Sequence, residues 1–256
     1  MPTVSSPLLV ANWKMNLSLK ESVLLTRAVL TGLAKRKSKN STELVLCPSF
    51  PALSVIGSLL KAKKVTLGAQ DVFWKTKGPY TGEVSVEVLK ELGVRYVIIG
   101  HSERRQYLRE SDGMVQQKVA TALQAGLTPI ICVGETFAER QVGQKDVVVA
   151  RQVTAALSGL TLAKGEQVVV AYEPVWVIGS GQAVEPEEAF HSARVIRQAL
   201  IDLFPSTVAR TQIRLIYGGS VDTSNISSFI SNDISGVLVG GASLEAKRLL
   251  SLIAAL

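Results

Sequence analysis

Residues 168 to 181 read VVVAYEPVWVIGSG. An apolar run meets a carboxylate, Glu173, and Pro174 stops it at once. A short run this rich in Val, with no polar alternation, reads as a parallel strand buried on both faces. In isolation, Glu173 would be an ordinary charge at a strand exit. The pattern is not isolated, however. It recurs as PLLVAN (7–12), ELVLCP (43–48), VTLGAQ (65–70), YVIIGH (96–101), PIICVG (129–134), RLIYGG (214–219) and GVLVGG (236–241).

Helical patterns lie between these runs. Ser18 to Ala34 places Leu19, Val23, Leu24, Leu30 and Leu33 on an apolar stripe. VEVLKELG ends at Gly93 and SDGMVQQKVATALQAG at Gly126, both good helix stops. EPEEAFHSARVIRQALIDLF begins with acids and a proline and stops before Pro205. Strands alternating with helices make βαβ units and a parallel sheet. Eight such units in 256 residues predict an α/β fold, a closed (β/α)8 TIM barrel forming one domain over residues 1–256.

Composition agrees. Hydrophobic residues are 47% and charged residues 19%, which suits a large core. No apolar run approaches the ~18 residues that cross a bilayer, so no membrane partner is expected. The N-terminal residues carry no basic segment before their short apolar run, so a secretory signal is not expected. Cys47 and Cys132 both fall in strand runs, with no metal-ligand cluster around them. A reduced, cytoplasmic protein without a bound metal fits this pattern. The net charge of +7 raises nucleic acid as a partner. The densest basic stretches, KRKSK (35–39) and KAKK (61–64), instead end helical patterns, where cations complement the helix dipole. No aromatic residues interleave them, so no nucleic-acid partner is expected.

The residues at the mouth of each strand carry the chemistry. Asn12 and Lys14 follow the first run, His101 ends the fourth, Glu135 follows the fifth and Glu173 ends the sixth. Gly218, Gly219 and Ser220 follow the seventh, and Gly240 and Gly241 the eighth. In a parallel barrel these ends share one rim. The glycine turns expose backbone N–H groups at the usual phosphate position of such barrels, and Gly179 adds another if its loop folds over. No P-loop or GxGxxG motif points to a nucleotide. One carboxylate, one imidazole and one fixed cation beside a phosphate site suit proton abstraction next to a carbonyl. The reaction class is aldose–ketose isomerisation of a small sugar phosphate, without a cofactor.

NWKMN (12–16), GHSERR (100–105), AYEPVW (171–176), IGSG (178–181), YGGSV (217–221) and LVGGASL (238–244) occur in an order that closely resembles the triosephosphate isomerase family. The resemblance covers essentially the whole chain. It implies interconversion of dihydroxyacetone phosphate and glyceraldehyde 3-phosphate, in glycolysis and gluconeogenesis. It implies Glu173 as base, the family's established neutral imidazole at His101, and Lys14 and Asn12 as oxygen-binding groups. It assigns the phosphate to Gly179, Ser220, Gly240 and Gly241, and gives Glu103 a supporting role behind Asn12 and Lys14. A closing lid is an established feature of that family. Here Pro174, Val175 and Trp176 would form its hinge, and Val177, Ile178, Gly179, Ser180 and Gly181 its tip. Val177, Ser180 and Gln182 depart from the family's usual residues, which bears on lid kinetics.

Residues 71 to 85, DVFWKTKGPYTGEVS, make a long loop whose Phe73, Trp74 and Tyr80 argue for docking rather than disorder. The resemblance implies a homodimer built on this loop, with Thr81 reaching the neighbouring site. Pro79 and Tyr80 stand where the family often has Ala and Phe. Two alternatives stay open from the sequence: another sugar-phosphate isomerase, or a catalytically silent phosphate-binding barrel.

Overall fold

The structure, a computed structural model, describes residues 6–36, 42–61, 63–179 and 182–256. Ser180 and Gly181 of the expected lid, and residues 37–39 of the first basic stretch, lie outside the described residues. Strands β1 (Leu8–Asn12), β2 (Glu43–Cys47), β3 (Val65–Ala69), β4 (Tyr96–Ile99), β5 (Thr128–Val133), β6 (Val168–Tyr172), β7 (Ile213–Tyr217) and β8 (Ile234–Val239) pair in chain order, every pair parallel. β8 then pairs with β1 and closes the barrel.

Every strand except β3 feeds two separate cores, as its unbroken apolar run requires; β3 sends Val65, Leu67 and Ala69 only to the outer one. Leu8, Val10, Val45, Ile130 and Val169 pack with Cys47 and Cys132 inside the barrel. Their neighbours Leu9, Ala11, Leu44, Leu46 and Val170 point outward against the helices. Alternation of side chains along a strand makes this division automatic. Both cysteines are free and buried.

The helices are α1 (Leu19–Lys35), α2 (Leu53–Leu60), α3 (Val86–Glu91), α4 (Ser102–Tyr107), α5 (Asp112–Gln124), α6 (Phe137–Gln141), α7 (Lys145–Leu157), α8 (Pro186–Leu203), α9 (Ser206–Thr211) and α10 (Ala246–Ala255). The helical patterns expected around α1, α3, α5 and α8 are present. Gly93 and Gly126 follow α3 and α5 with φ of +83° and +76°, the left-handed conformation that terminates helices. The stripe expected on α1 needs correction. Val23, Leu30 and Leu33 do pack against the core, but Leu19 and Leu24 are 52% and 55% exposed, and Ser22, Leu25, Thr26 and Val29 are the buried residues. Ser22 and Thr26 tolerate burial because their hydroxyls donate to the Ser18 and Ser22 carbonyls at 2.9 and 2.8 Å. A Ser18–Glu21 capping box sets where the helix starts, and so which face turns inward.

The long loop is anchored at its base and open at its tip. Phe73 is buried, its N–H donates to the Val84 carbonyl at 2.9 Å, and its ring packs against Trp74 and Tyr80. Residues 75–83 are exposed. Phe73 thus serves its own barrel, leaving Tyr80 and Thr81 at the surface.

Beneath the loop lies a buried charge cluster. Lys118 on α5 bonds both Asp71 oxygens at 2.7 and 2.9 Å and Glu110 at 2.6 Å. Arg104 on α4 bonds the same two acids at 2.9 and 2.8 Å. Two cations and two carboxylates thereby lock the loop after β3 to α4 and α5. Burial pushes the Asp71 carboxyl up to about 6, against the pull of Lys118. Because this value lies above that of an unfolded aspartate, the linked stability is fully present below about pH 4 and is lost as pH rises through 6. Thermal unfolding of the parent and of Asp71→Asn, followed from pH 5 to pH 8, should diverge in slope. The parent loses about 1.4 kcal/mol across that range relative to the variant. Parallel curves would rule out Asp71 as the titrating group.

Candidate active site

The rim at the C-terminal ends of the strands holds a cavity of 380 Å³. Asn12, Lys14, His101, Glu173, Gly179, Ser220, Gly240 and Gly241 all line it, as do Ile178 and Gly218. The barrel therefore brings together residues separated by more than 200 positions.

Glu173 follows β6 directly and is only 1% exposed. Its backbone fits because two neighbours lack side chains. A Cβ at Gly134 would sit 1.7 Å from the Glu173 carbonyl oxygen, and one at Gly218 would lie 2.8 Å from its Cγ. The backbone N–H of Ser102 donates to Glu173 Oε2 at 3.0 Å. Oε1 has no hydrogen-bond partner and lies 3.3 Å from His101 Nε2. A buried carboxylate with one oxygen left open is poised to accept a proton. Directly inside the barrel, burial and the Glu173 carboxylate keep the Cys132 thiol well above its usual range, hence protonated.

His101 is the N-cap of α4, and its Nδ1 accepts the Glu103 N–H at 3.2 Å. With Nδ1 accepting, Nε2 is the ring nitrogen left to donate toward the cavity. The cavity wall thereby gains an N–H donor beside the carboxylate.

Lys14 adopts φ +51°, an uncommon conformation for a residue with a side chain. Three contacts hold it there. Its N–H donates to Asn12 Oδ1 at 3.0 Å, its carbonyl accepts from Gln70 at 2.8 Å, and its ammonium meets Glu103 at 2.6 Å. Gly240 leaves room for the stem, since a Cβ there would be 3.3 Å from Lys14 Cε. Glu103 thus lies behind Lys14, outside the cavity lining. Gly240 leads into a short turn, Gly241–Ser243, before α10. Ser220 Oγ donates to the Val177 carbonyl at 3.3 Å, tying the loop after β7 to the loop after β6.

The expected hinge is a short turn, Val175–Val177, behind Pro174. Glu135, buried at the end of β5, anchors it. Trp176 Nε1 donates to Glu135 at 2.9 Å, Tyr172 donates at 3.2 Å, and the Val175 N–H bonds the Glu135 carbonyl at 3.1 Å. Burial raises the Glu135 carboxyl, partly offset by those donors. Arg140 covers the Trp176 ring at 4.5 Å and pairs with Glu188. The sequence placed Glu135 on the rim without a role. Ser102, Gly134 and Arg140 gave no signal, because their contributions are a main-chain donor, a missing side chain and a long-range stack.

The triosephosphate isomerase family profile matches residues 7–256. The chain belongs to this family. Among its relatives, the triosephosphate isomerase of Thermoanaerobacter sp. (strain X514) is 44% identical over 94% of this chain and 95% of its own length. That of Chloroflexus aurantiacus is 44% identical, covering 96% and 98%, and that of Moorella thermoacetica 44%, covering 94% of each. The family motifs NWKMN, GHSERR and AYEPVW supply Asn12, Lys14, His101 and Glu173, which meet in one cavity here. In a triosephosphate isomerase with this site, Gly218→Ala should press a methyl against Glu173 and displace its carboxylate. Turnover should then fall by roughly two orders of magnitude with the thermal unfolding midpoint largely kept. Parent-like turnover would show that the carboxylate has more freedom than its packing indicates.

Proposed function

We propose that the chain interconverts dihydroxyacetone phosphate and glyceraldehyde 3-phosphate through an enediolate, a step of glycolysis and gluconeogenesis. The supporting observation is the buried Glu173 with an open Oε1, facing the same cavity as the His101 Nε2–H, the Lys14 cation and the glycine turns. Glu173 takes the proton from the carbon next to the carbonyl and becomes a carboxylic acid. The electron pair of that C–H bond forms a C=C bond and the carbonyl π pair moves onto oxygen, where the His101 N–H and Lys14 meet the developing charge. The former carbonyl oxygen takes a proton from the His101 N–H, the ring recovers one from the hydroxyl on the carbon that lost its hydrogen, and Glu173 returns its proton to the former carbonyl carbon as that hydroxyl oxygen becomes the new carbonyl. One carbon is oxidised and its neighbour reduced, so the reaction is balanced internally and needs no external hydride carrier.

Ser220, Gly179, Gly240 and Gly241 hold the phosphate. The tip from Val177 to Gly181 closes over it, with Pro174, Val175 and Trp176 as hinge, and excludes water from the intermediate. The chain works as a homodimer through residues 75–83, and Thr81 completes the partner's site. Met15, 95% exposed beside the rim, is an apolar side chain that such a partner would cover. The site is reduced and cytoplasmic; the two unpaired cysteines support that reading, and no helix among the described residues is long and apolar enough to cross a membrane. Neither nucleic acid nor a metal enters the reaction.

A coupled assay for isomerisation of glyceraldehyde 3-phosphate tests the activity. Glu173→Gln should lower kcat by about 10²–10⁴-fold while retaining phosphate affinity, because the amide keeps shape and loses basicity. A kcat within a few-fold of the parent removes Glu173 as base, and an inactive parent that binds phosphate favours a silent barrel.

The dimer has its own test. Removing residues 75–80 and rejoining the ends leaves Phe73 in its packed position. The shortened chain should sediment as a monomer, fold normally and turn over slowly. A dimer after that deletion would assign the contact elsewhere.

A further inference from the structure

Arg248 lies on the outer wall of the cavity, in the first turn of α10 and close to the phosphate-binding glycines in sequence. It is exposed, and among the described residues its guanidinium makes no hydrogen bond or close ion pair. The charges lining the cavity are Lys14 and Arg248 against Glu173 and Asp222. Lys14 is already bonded to the Glu103 carboxylate at 2.6 Å. Ser224 and Asn225 hold the Asp222 carboxyl below its usual range, with Arg248 contributing, so that charge persists at neutral pH. Without Arg248, an incoming phosphate dianion would face a wall of net negative sign.

The position of Arg248 is also one that helix stability does not favour. Glu245 stands at the N-cap of α10 without a side-chain capping bond, and the first turn beyond it carries Lys247 and Arg248 and no acid, although the dipole there prefers negative charge. An arginine in that place adds to the positive potential of the glycine N–H groups rather than relieving it. Its planar fork suits a phosphate, and an unpaired guanidinium keeps its donors available.

We propose that Arg248 is a phosphate-recruiting residue of the substrate site, a second cation that draws the dianion to the glycine turns and sets the preference for phosphorylated substrate. This rests on the phosphate-binding part of the function proposed above. Two measurements separate them: equilibrium binding of inorganic phosphate, and steady-state kinetics with glyceraldehyde 3-phosphate and with unphosphorylated D-glyceraldehyde. Arg248→Met should weaken phosphate binding about three- to tenfold at low ionic strength. KM for glyceraldehyde 3-phosphate should rise by a similar factor, with kcat nearly kept. The ratio of kcat/KM for phosphorylated over unphosphorylated substrate should fall correspondingly. The gap between parent and variant should narrow as added salt screens the charge, and Arg248→Lys should lie between the two. An unchanged phosphate affinity, or an equal loss on both substrates, overturns the role of Arg248. Weakened phosphate binding in a chain whose parent does not isomerise would overturn the isomerase reading and leave this inference standing.

Discussion

Everything in this molecule depends on the seam where β8 meets β1. A parallel sheet with both faces apolar can end only by closing or by covering its edges, and here it closes. Leu8 aligns with Gly236, and a Cβ at Gly236 would come within 2.2 Å of the Leu8 carbonyl oxygen. The closing ladder therefore needs a residue without a side chain at that point. Once the seam is made, each strand's carboxyl end points to one rim, and chemistry scattered from Asn12 to Gly241 becomes local.

The rim also carries costs that the closed barrel must offset. A nearly fully buried carboxylate, Glu173, has only one main-chain donor, and Lys14 holds a left-handed backbone conformation. Both are the kind of local strain that persists only where surrounding structure over-determines it. The surroundings do so here. Glycines at 134 and 218 admit the Glu173 backbone and stem, and Gln70, Asn12 and Glu103 hold Lys14 from three sides. Behind them the cluster of Asp71, Arg104, Glu110 and Lys118 fixes α4, whose first residue comes directly after His101.

How much of this was readable in the sequence depends on the range of each interaction. The eight strands were legible because burial on both faces leaves an unbroken apolar run. The residues that end them were legible because charge at the mouth of such a run is conspicuous. α4, α6 and α9 were not: they are as short as α3 but lack its repeated Val and Leu, so no apolar period shows. α7 begins with the β-branched run VVV, and its helical face emerges only through Val149, Gln152, Val153 and Ala156. The tilt of α1 escaped because buried Ser22 and Thr26 look polar until their own-helix bonds are seen. At the site, Glu135 was visible as a residue but not as the anchor of Trp176, a contact across 41 positions.

The partners holding the Glu173 and His101 side chains are main-chain groups. Glu173 rests on the Ser102 N–H, and the His101 tautomer is set by the Glu103 N–H. No side-chain replacement can delete a peptide donor; only proline or a shift of the chain can. The geometry of the cavity is therefore stored in the path of the backbone rather than in the spelling of its neighbours. More than half of the letters differ between this chain and its relatives at 44% identity, and a main-chain donor is a feature that such changes of side chain leave in place. Such a scaffold is buffered against single-letter error where its chemistry is most exacting, and vulnerable mainly at the few glycines that let the chain pass.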